Sequence, residues 1–208
     1  MSSTSEPPGG RLRVAHVVPR TVAEGPGTRY AIWVQGCTLR CPGCFNPHLW
    51  TSRGGTLRRP ADLVAEATAA GAEGITVLGG EPLDQPRATA ALVRRARAAG
   101  LSTVVFTGHT LEELQARGAP GVAEVLAATD LLVDGPYRAE LPDRARPWLG
   151  STNQRFHFLT DRYGPPDVVA PDRVEVRVAA DGAVELNGWA DEELLELLAG
   201  DVGRRARG

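Results

Sequence analysis

Residues 75–80, Ile-Thr-Val-Leu-Gly-Gly, form a short β-branched and apolar run that ends in two glycines. The segment before it, residues 60–70, begins with proline and stops at Gly71, which is the usual order for a helix. The segment after it, residues 85–99, is rich in alanine, arginine and leucine and stops at Gly100. A buried strand between two helices is typical of an α/β protein, so this stretch predicts the fold class.

The same alternation of strands and helices continues on both sides of this unit. Thr110 is followed three residues later by Glu113, the capping-box spacing that opens a helix. Strands that alternate with helices predict a parallel α/β sheet with right-handed crossovers. The further strands are predicted at residues 14–18, 30–34, 101–106 and 131–133, and the further helices at residues 110–116 and 122–128.

The pattern changes after the proline-rich stretch at residues 163–171. Apolar and polar residues alternate over 174–178 and again over 184–186, and Asp181-Gly182 between them is a turn signal, so we predict an antiparallel hairpin. A leucine-rich helix is predicted over residues 191–200. We therefore divide the chain into a disordered N-terminus at residues 1–10, a core domain at 11–162, and a C-terminal hairpin and helix extension at 163–208 that packs on the core.

Composition excludes several classes of protein. The chain has 208 residues, 42% of them hydrophobic, which suits one domain shorter than the roughly 250 residues of a closed (β/α)₈ barrel. With a net charge of −2, the chain lacks the excess of basic residues that is typical of nucleic-acid-binding proteins. It has 23 arginines and no lysine, which excludes mechanisms that need a catalytic lysine. No signal peptide or membrane span is visible, so we expect a cytoplasmic protein without membrane contact.

The three cysteines, Cys37, Cys41 and Cys44, lie within eight residues directly after a predicted strand. An odd, clustered set does not suit a disulfide framework and predicts a metal site in a reducing compartment. The spacing of the cysteines is compatible with two kinds of metal site. Three cysteines can hold a cubane iron–sulfur cluster with one open iron, whereas His48 could complete a Cys3His zinc site.

Several motifs occur in an order that extends over about residues 14–157. Together they resemble the radical S-adenosylmethionine enzymes, and more narrowly the activating proteins of anaerobic ribonucleoside-triphosphate reductases. The motifs are Gly25-Pro-Gly-Thr-Arg29, Gln35-Gly-Cys37, Cys41-Pro-Gly-Cys44-Phe-Asn46, Gly79-Gly-Glu-Pro-Leu83, Thr107-Gly108, Val133-Asp-Gly135 and Gly150-Ser-Thr-Asn-Gln154.

This resemblance implies a fold, a reaction and partners. The fold would be an incomplete (β/α) barrel of the radical S-adenosylmethionine type. Cys37, Cys41 and Cys44 would ligate a 4Fe-4S cluster, and S-adenosylmethionine would chelate the fourth iron. One electron from reduced flavodoxin or ferredoxin would then cleave S-adenosylmethionine and lead to a glycyl radical on the reductase. No side chain would be catalytic, because the cluster and S-adenosylmethionine carry the radical chemistry.

The resemblance also implies the residues that bind S-adenosylmethionine. Strand-end carbonyls and the Glu81 carboxylate are expected to accept hydrogen bonds from the ligand's ammonium group. The roles of His109 and of residues 25–29 remain open. The implied cofactor-binding residues are Gly43, Phe45, Asn46, Gly79, Gly80, Glu81 and Thr107.

Two alternative functions compete with this interpretation. The first keeps the radical chemistry but changes the substrate to another glycyl-radical enzyme, a peptide or a small molecule. The second is a non-catalytic zinc or iron–sulfur module.

Overall fold

The computed structural model describes residues 10–169, 174–178 and 184–188. Apart from Gly10, the N-terminal segment expected to be disordered lies outside these residues, and so does the predicted helix at 191–200. The strands are β1 (Leu12–Thr21), β2 (Arg29–Val34), β3 (Thr56–Arg58), β4 (Gly74–Gly79), β5 (Ser102–Phe106), β6 (Leu131–Asp134), β7 (Arg155–Phe158), β8 (Val174–Val178) and β9 (Val184–Gly188). The α-helices are α1 (Pro60–Ala69), α2 (Pro86–Ala98), α3 (Leu111–Arg117) and α4 (Val122–Ala127).

Seven of the described strands form one mixed sheet in the order β3-β1-β2-β4-β5-β6-β7. The four central strands, β2, β4, β5 and β6, run parallel, as the alternation of strands and helices predicts. The predicted parallel arrangement does not extend to the two edges of the sheet, where β1, β3 and β7 pair antiparallel. Residues 22–28 join β1 to β2, and this connection is shorter than the dozen or so residues that a parallel crossover needs.

The two short edge strands, β3 and β7, were not predicted from the sequence. β3 has three residues and β7 has four, so neither is long enough to display a clear alternation of apolar and polar residues. Both are defined by pairing with a neighbour that is distant in sequence, β3 with β1 and β7 with β6.

The hydrophobic core lies between one face of the sheet and the helices. Side chains such as Ile32, Val77 and Leu132 from the strands pack in one cluster with Leu63 of α1 and Leu92 of α2. Each of these side chains is fully buried, and burial of this kind stabilises a fold by about 1.5–3 kcal/mol per side chain.

Helix boundaries agree closely with the sequence signals. α1 begins at Pro60, and Thr110 caps α3 with the predicted capping box, in which the Glu113 carboxylate accepts a hydrogen bond from the Thr110 amide at 2.9 Å. α3 stops at Gly118, which adopts the left-handed conformation with φ 56°. None of the helices in the described part of the chain has the length and apolar character needed to cross a bilayer.

The two strands beyond the main sheet, β8 and β9, pair antiparallel with each other. The alternation of apolar and polar residues over these segments predicts this pairing. The residues that join β8 to β9, including Asp181 and Gly182, lie outside the described part of the chain.

Candidate metal centre and ligand cavity

One cavity begins where the carboxyl ends of the parallel strands meet and extends to Val18 and Glu24, near the end of β1. It has a volume of about 690 Å³, and its walls include all three cysteines, the residues that follow β4, β5 and β6, and parts of β8 and β9. Open α/β sheets bind ligands in this position, because the loops that leave adjacent parallel strands converge there.

The cysteine loop follows β2 and is fastened to its surroundings by hydrogen bonds. The amide of Cys37 donates to the carbonyl of Trp50 at 3.2 Å. Thr38 donates from its amide and its hydroxyl to the Asp84 carboxylate, at 2.8 and 3.0 Å. The loop is therefore held on both sides while all three thiols, each partly buried, face one cavity.

The donor set of the cavity, three cysteine thiols, is the set that holds a cubane iron–sulfur cluster with one open iron. Among the described residues, no group of three His, Cys, Asp or Glu side chains is gathered closely enough to hold one metal ion. His48 lines the same cavity but does not complete a compact Cys3His set with the thiols. Three thiols that line one cavity suit a multi-iron cluster, because its cysteine ligands bind different iron atoms. Burial raises the pKa of the Cys37 and Cys41 thiols, so binding as thiolates would release protons.

Gly79 and Gly80 bring the end of β4 against β2 and the cysteine loop. A Cβ on Gly79, whose φ is +100°, would lie 2.7 Å from Trp33, and a Cβ on Gly80 would lie 2.2 Å from the Gly36 carbonyl oxygen. The Gly80 amide donates to the Val34 carbonyl at 2.9 Å. Both glycines line the cavity, but the protein's own backbone already occupies the space that a side chain would need.

Glu81 lines the cavity and is also held by hydrogen bonds from within the protein. It is 1% exposed, and its carboxylate accepts hydrogen bonds from the Leu83 amide at 2.8 Å, the Thr107 hydroxyl at 2.9 Å and the Gly108 amide at 2.9 Å. The carboxylate thus joins the end of β4 to the end of β5. Burial raises the pKa of Glu81 to about 7, against the opposing effect of these three hydrogen bonds.

Thr107 and His109 continue this link behind the cavity. Thr107 lines the cavity, and its hydroxyl accepts a hydrogen bond from the His109 amide at 3.2 Å. His109 is 4% exposed and does not line the cavity; its ring lies 3.3 Å from the guanidinium of Arg117. Burial, followed by the Arg117 charge, lowers the pKa of His109. Its position supports packing beneath the site rather than contact with a ligand.

The residues that surround the last cysteine take different positions. Phe45 is 53% exposed, and its ring packs on Tyr137 with the ring centroids 4.9 Å apart. Both rings line the cavity, and so does Asn46. The backbone amide of Asn46 donates a hydrogen bond to the Cys44 sulfur at 3.4 Å. Gly43 is not part of the lining; a Cβ there would lie 2.9 Å from that of Ala139.

Arg29, from the glycine-rich motif, lies away from this cavity. It is completely buried at the start of β2, and its guanidinium donates to the Thr76 hydroxyl at 3.0 Å, the Ser102 hydroxyl at 2.6 Å and the Ile75 carbonyl at 2.6 Å. Tyr163 also accepts a hydrogen bond from it at 3.0 Å. The arginine therefore joins the amino ends of β2, β4 and β5.

Sequence reasoning missed several residues that line the cavity. Gln154 belongs to a motif that carried the family resemblance without an assigned role; its side chain accepts a hydrogen bond from the Gly150 amide at 2.8 Å and donates to the Gly135 carbonyl at 3.1 Å. No local signal placed the others at the site, because they come from separate strands and loops. The others include His16, Trp33, Tyr137, Trp148, Val174 and Asn187.

Comparison with known proteins defines the class of this protein. A family model described as a 4Fe-4S single cluster domain matches residues 23–157. The chain is therefore a member of that iron–sulfur class, and the interpretation of the cysteine loop as a zinc module is wrong.

Curated relatives identify the particular family. The anaerobic ribonucleoside-triphosphate reductase-activating protein of Salmonella typhi is 34% identical over 157 residues, which cover 71% of this chain and 99% of the relative. The protein of that name from Escherichia coli K12 is 34% identical over 150 residues, covering 68% and 95% of the two chains, and that of phage T4 is 30% identical over 152 residues, covering 70% and 93%. The chain belongs to the family of anaerobic ribonucleoside-triphosphate reductase-activating proteins, which confirms the resemblance seen in its motifs.

A solved structure is also similar to part of the chain. The crystal structure of QueE from Escherichia coli is 18% identical and covers 48% of this chain and 53% of that chain, with a TM-score of 0.40. This likeness is too weak to define the fold, so the incomplete barrel stays a prediction.

Proposed function

We propose that this protein is a radical S-adenosylmethionine enzyme that generates a glycyl radical on an anaerobic ribonucleoside-triphosphate reductase. One observation carries the proposal: three cysteine thiols face a single cavity at the carboxyl ends of β4, β5 and β6, in a chain that belongs to the reductase-activating family. Cys37, Cys41 and Cys44 would hold the 4Fe-4S cluster. When bound, the cluster supplies one electron for the reductive cleavage of S-adenosylmethionine.

The overall reaction balances without a further oxidant. S-adenosylmethionine and one electron are consumed, methionine and 5′-deoxyadenosine are released, and a glycine of the reductase loses one hydrogen atom. We assign the electron to reduced flavodoxin or ferredoxin, and the setting to the cytoplasm, where thiols stay reduced.

The charge of the cavity supports a cationic ligand. The chain contains 23 arginines, yet none is among the described residues that line this cavity, whereas Glu24 and Glu81 are. A cavity of this composition suits the positive sulfonium and ammonium groups of S-adenosylmethionine. It does not suit a phosphorylated small molecule, which arginine or lysine side chains would normally bind.

The chain's own residues position these reactants. The Thr38–Asp84 hydrogen bonds hold the cysteine loop, and the Glu81 carboxylate holds the ends of β4 and β5 side by side. We propose that Gly79, Gly80 and Thr107 contact S-adenosylmethionine through their backbone or hydroxyl, since all three line the cavity.

The rim of the cavity would shield the reaction. Phe45 and Tyr137 form an aromatic pair beside Cys44, and Asn46 follows Phe45 in the sequence. We assign Phe45 and Asn46 to the ligand site. Gly43 we assign to the loop turn on which that site depends. Exclusion of water matters because a carbon radical reacts with whatever lies nearest.

The full-length protein, reconstituted anaerobically with iron and sulfide, tests the proposal. With dithionite and S-adenosylmethionine it should form 5′-deoxyadenosine, and with the reductase it should form a glycyl radical that EPR detects. An intact cluster that forms no 5′-deoxyadenosine would refute the radical chemistry. Formation of 5′-deoxyadenosine without a glycyl radical on the reductase would instead assign this enzyme to another substrate.

A further inference from the structure

The hairpin strands β8 and β9 lie beyond the part of the chain that the family model matches. That match ends at residue 157, whereas β8 begins at Val174. The Salmonella typhi relative is matched over 99% of its length but over only 71% of this chain. More than a quarter of this chain therefore has no counterpart in that relative, and the family function does not account for it.

Polar contacts hold this hairpin against the end of β1. The Glu175 carboxylate accepts a hydrogen bond from the Val22 amide at 2.8 Å, and the Asn187 side chain donates to the Thr21 hydroxyl at 2.9 Å. Arg177 donates to the Arg20 carbonyl and pairs with Glu175. Three side chains from β8 and β9 thus bind three consecutive residues, the last two of β1 and the residue that follows it, so the hairpin has a specific position.

This position makes the hairpin a wall of the ligand cavity. Val174, Asn187 and Gly188 line the same cavity as the three cysteines. His16 and Trp33, from β1 and β2, also line it, and their rings lie 5.6 Å apart between centroids. We call the part of the lining formed by the cysteine loop and the loops after the strands the cysteine end, and the part formed by β1, β2, β8 and β9 the hairpin end.

The chemistry of the proposed function requires the hydrogen donor to enter this cavity. A carbon radical removes a hydrogen atom only from a group in contact with it, so the glycine must reach the cysteine end. On the proposed function, S-adenosylmethionine would bind at the cysteine end, beside the three thiols, which would leave the hairpin end for the polypeptide that carries the glycine. The absence of arginine from the described lining favours a neutral backbone over an anionic substrate.

We propose that the β8–β9 hairpin is the outer wall of the partner-binding end of this cavity. On this proposal, which rests on the proposed function, an extended glycine-bearing segment of the reductase binds between the hairpin and the His16–Trp33 pair. Glu175 acts as a positioning residue, because it holds the hairpin on β1 without lining the cavity itself. The hairpin thereby limits which polypeptide segments can reach the cysteine end.

Photocrosslinking tests the position of the segment without relying on the reaction. The photoreactive residue benzoylphenylalanine replaces Val174 in one full-length, cluster-containing variant and Val178 in a matched control. Val178 is a suitable control because it lies on the same strand, is 69% exposed and does not line the cavity. After irradiation with the reductase, the Val174 variant should crosslink to the glycine-bearing segment at least about fivefold more than the control. Equal crosslinking, or crosslinks that map elsewhere on the reductase, would overturn the proposal.

Kinetics provide a second, independent test. Glu175→Ala should raise the KM for the reductase about tenfold, which is the change expected when a hydrogen bond to a charged group is lost. The variant should lower kcat much less. An unaltered KM in a variant that keeps its cluster would contradict the positioning role. These results are separate from the function itself: if the wild-type protein forms no 5′-deoxyadenosine the proposed function fails, whereas if it activates the reductase without these effects only the hairpin proposal fails.

Discussion

The carboxylate of Glu81 accepts a hydrogen bond from the hydroxyl of Thr107 at 2.9 Å, and this contact joins the ends of two parallel strands beneath the ligand cavity. The same carboxylate accepts amide hydrogen bonds from Leu83 and Gly108. Glu81, which the sequence predicts to bind the ligand, therefore also holds the ends of β4 and β5 together within the protein.

Glu81→Gln should destabilise the fold. An amide has only one acceptor oxygen and would place its NH₂ group against at least one of the three donors, so we expect a loss of about 1–3 kcal/mol in the free energy of unfolding. Urea unfolding followed by circular dichroism measures this value. The control is Glu124→Gln, which alters an exposed pair with Arg94 and should change stability by no more than about 1 kcal/mol. Similar losses of stability in both variants would contradict this structural role of Glu81.

The acid stability of the protein should depend on Arg155. Its guanidinium contacts the buried Asp134 at 2.6 Å and Glu112 at 2.7 Å, and His157 lies 2.9 Å from Asp134. Burial acts to raise the pKa of Asp134, but the hydrogen bonds from Arg155 and the Leu111 amide outweigh it and lower the pKa. The pKa of Glu112 falls to about 2, chiefly through its hydrogen bond to Arg155.

Because both folded pKa values lie below the unfolded ones, this stabilisation is complete above about pH 4.5 and is lost as pH falls through the folded values. Arg155→Met should raise the folded pKa of Asp134 towards or above its unfolded value, so the variant should lose less stability than the wild type as the pH falls from about 4.5 to about 2. At pH 7 we expect a loss of about 1–3 kcal/mol for the Asp134 contact. Unfolding measured from pH 2 to 7 checks this, with Arg94→Met as the control; parallel pH profiles would refute it.

Cluster binding should require each cysteine but not His48. Cys41→Ala should abolish both the iron–sulfur absorbance and the formation of 5′-deoxyadenosine, because two thiolates cannot hold the cluster in the required arrangement. His48→Ala should retain the iron and sulfide content of the wild type after anaerobic reconstitution. Loss of iron in His48→Ala would show that the histidine is a ligand after all.

Gly80 should tolerate no side chain. Gly80→Ala would place a Cβ 2.2 Å from the Gly36 carbonyl oxygen, and we expect a loss of about 2–4 kcal/mol from the resulting shift of the backbone. Gly100→Ala is the comparison, because its φ of +81° is strained for alanine but no atom lies within 4 Å of its Cβ. That variant should lose only about 1–2 kcal/mol. Equal thermal unfolding midpoints for the two variants would show that the close approach of β4 to the cysteine loop is dispensable.

The sequence by itself determined the features that depend on local pattern. Alternating strands and helices predicted the parallel centre of the sheet, and the Thr110–Glu113 spacing predicted the start of α3. The spacing of the three cysteines, read together with the neighbouring motifs, identified the family. These features are readable because each depends on residues that are close together in the chain.

Only the tertiary structure decided where side chains point and which distant segments meet. Glu81 is held at the cavity because Thr107 and Gly108, directly after the next strand, offer hydrogen-bond donors that no local pattern reveals. Arg29 is buried because the starts of three strands supply its acceptors. Asn187 reaches Thr21 across a long stretch of chain, and that contact places the hairpin at the cavity. Contacts of this kind arise from the packing of the whole sheet, so they become visible only once the strands are assembled.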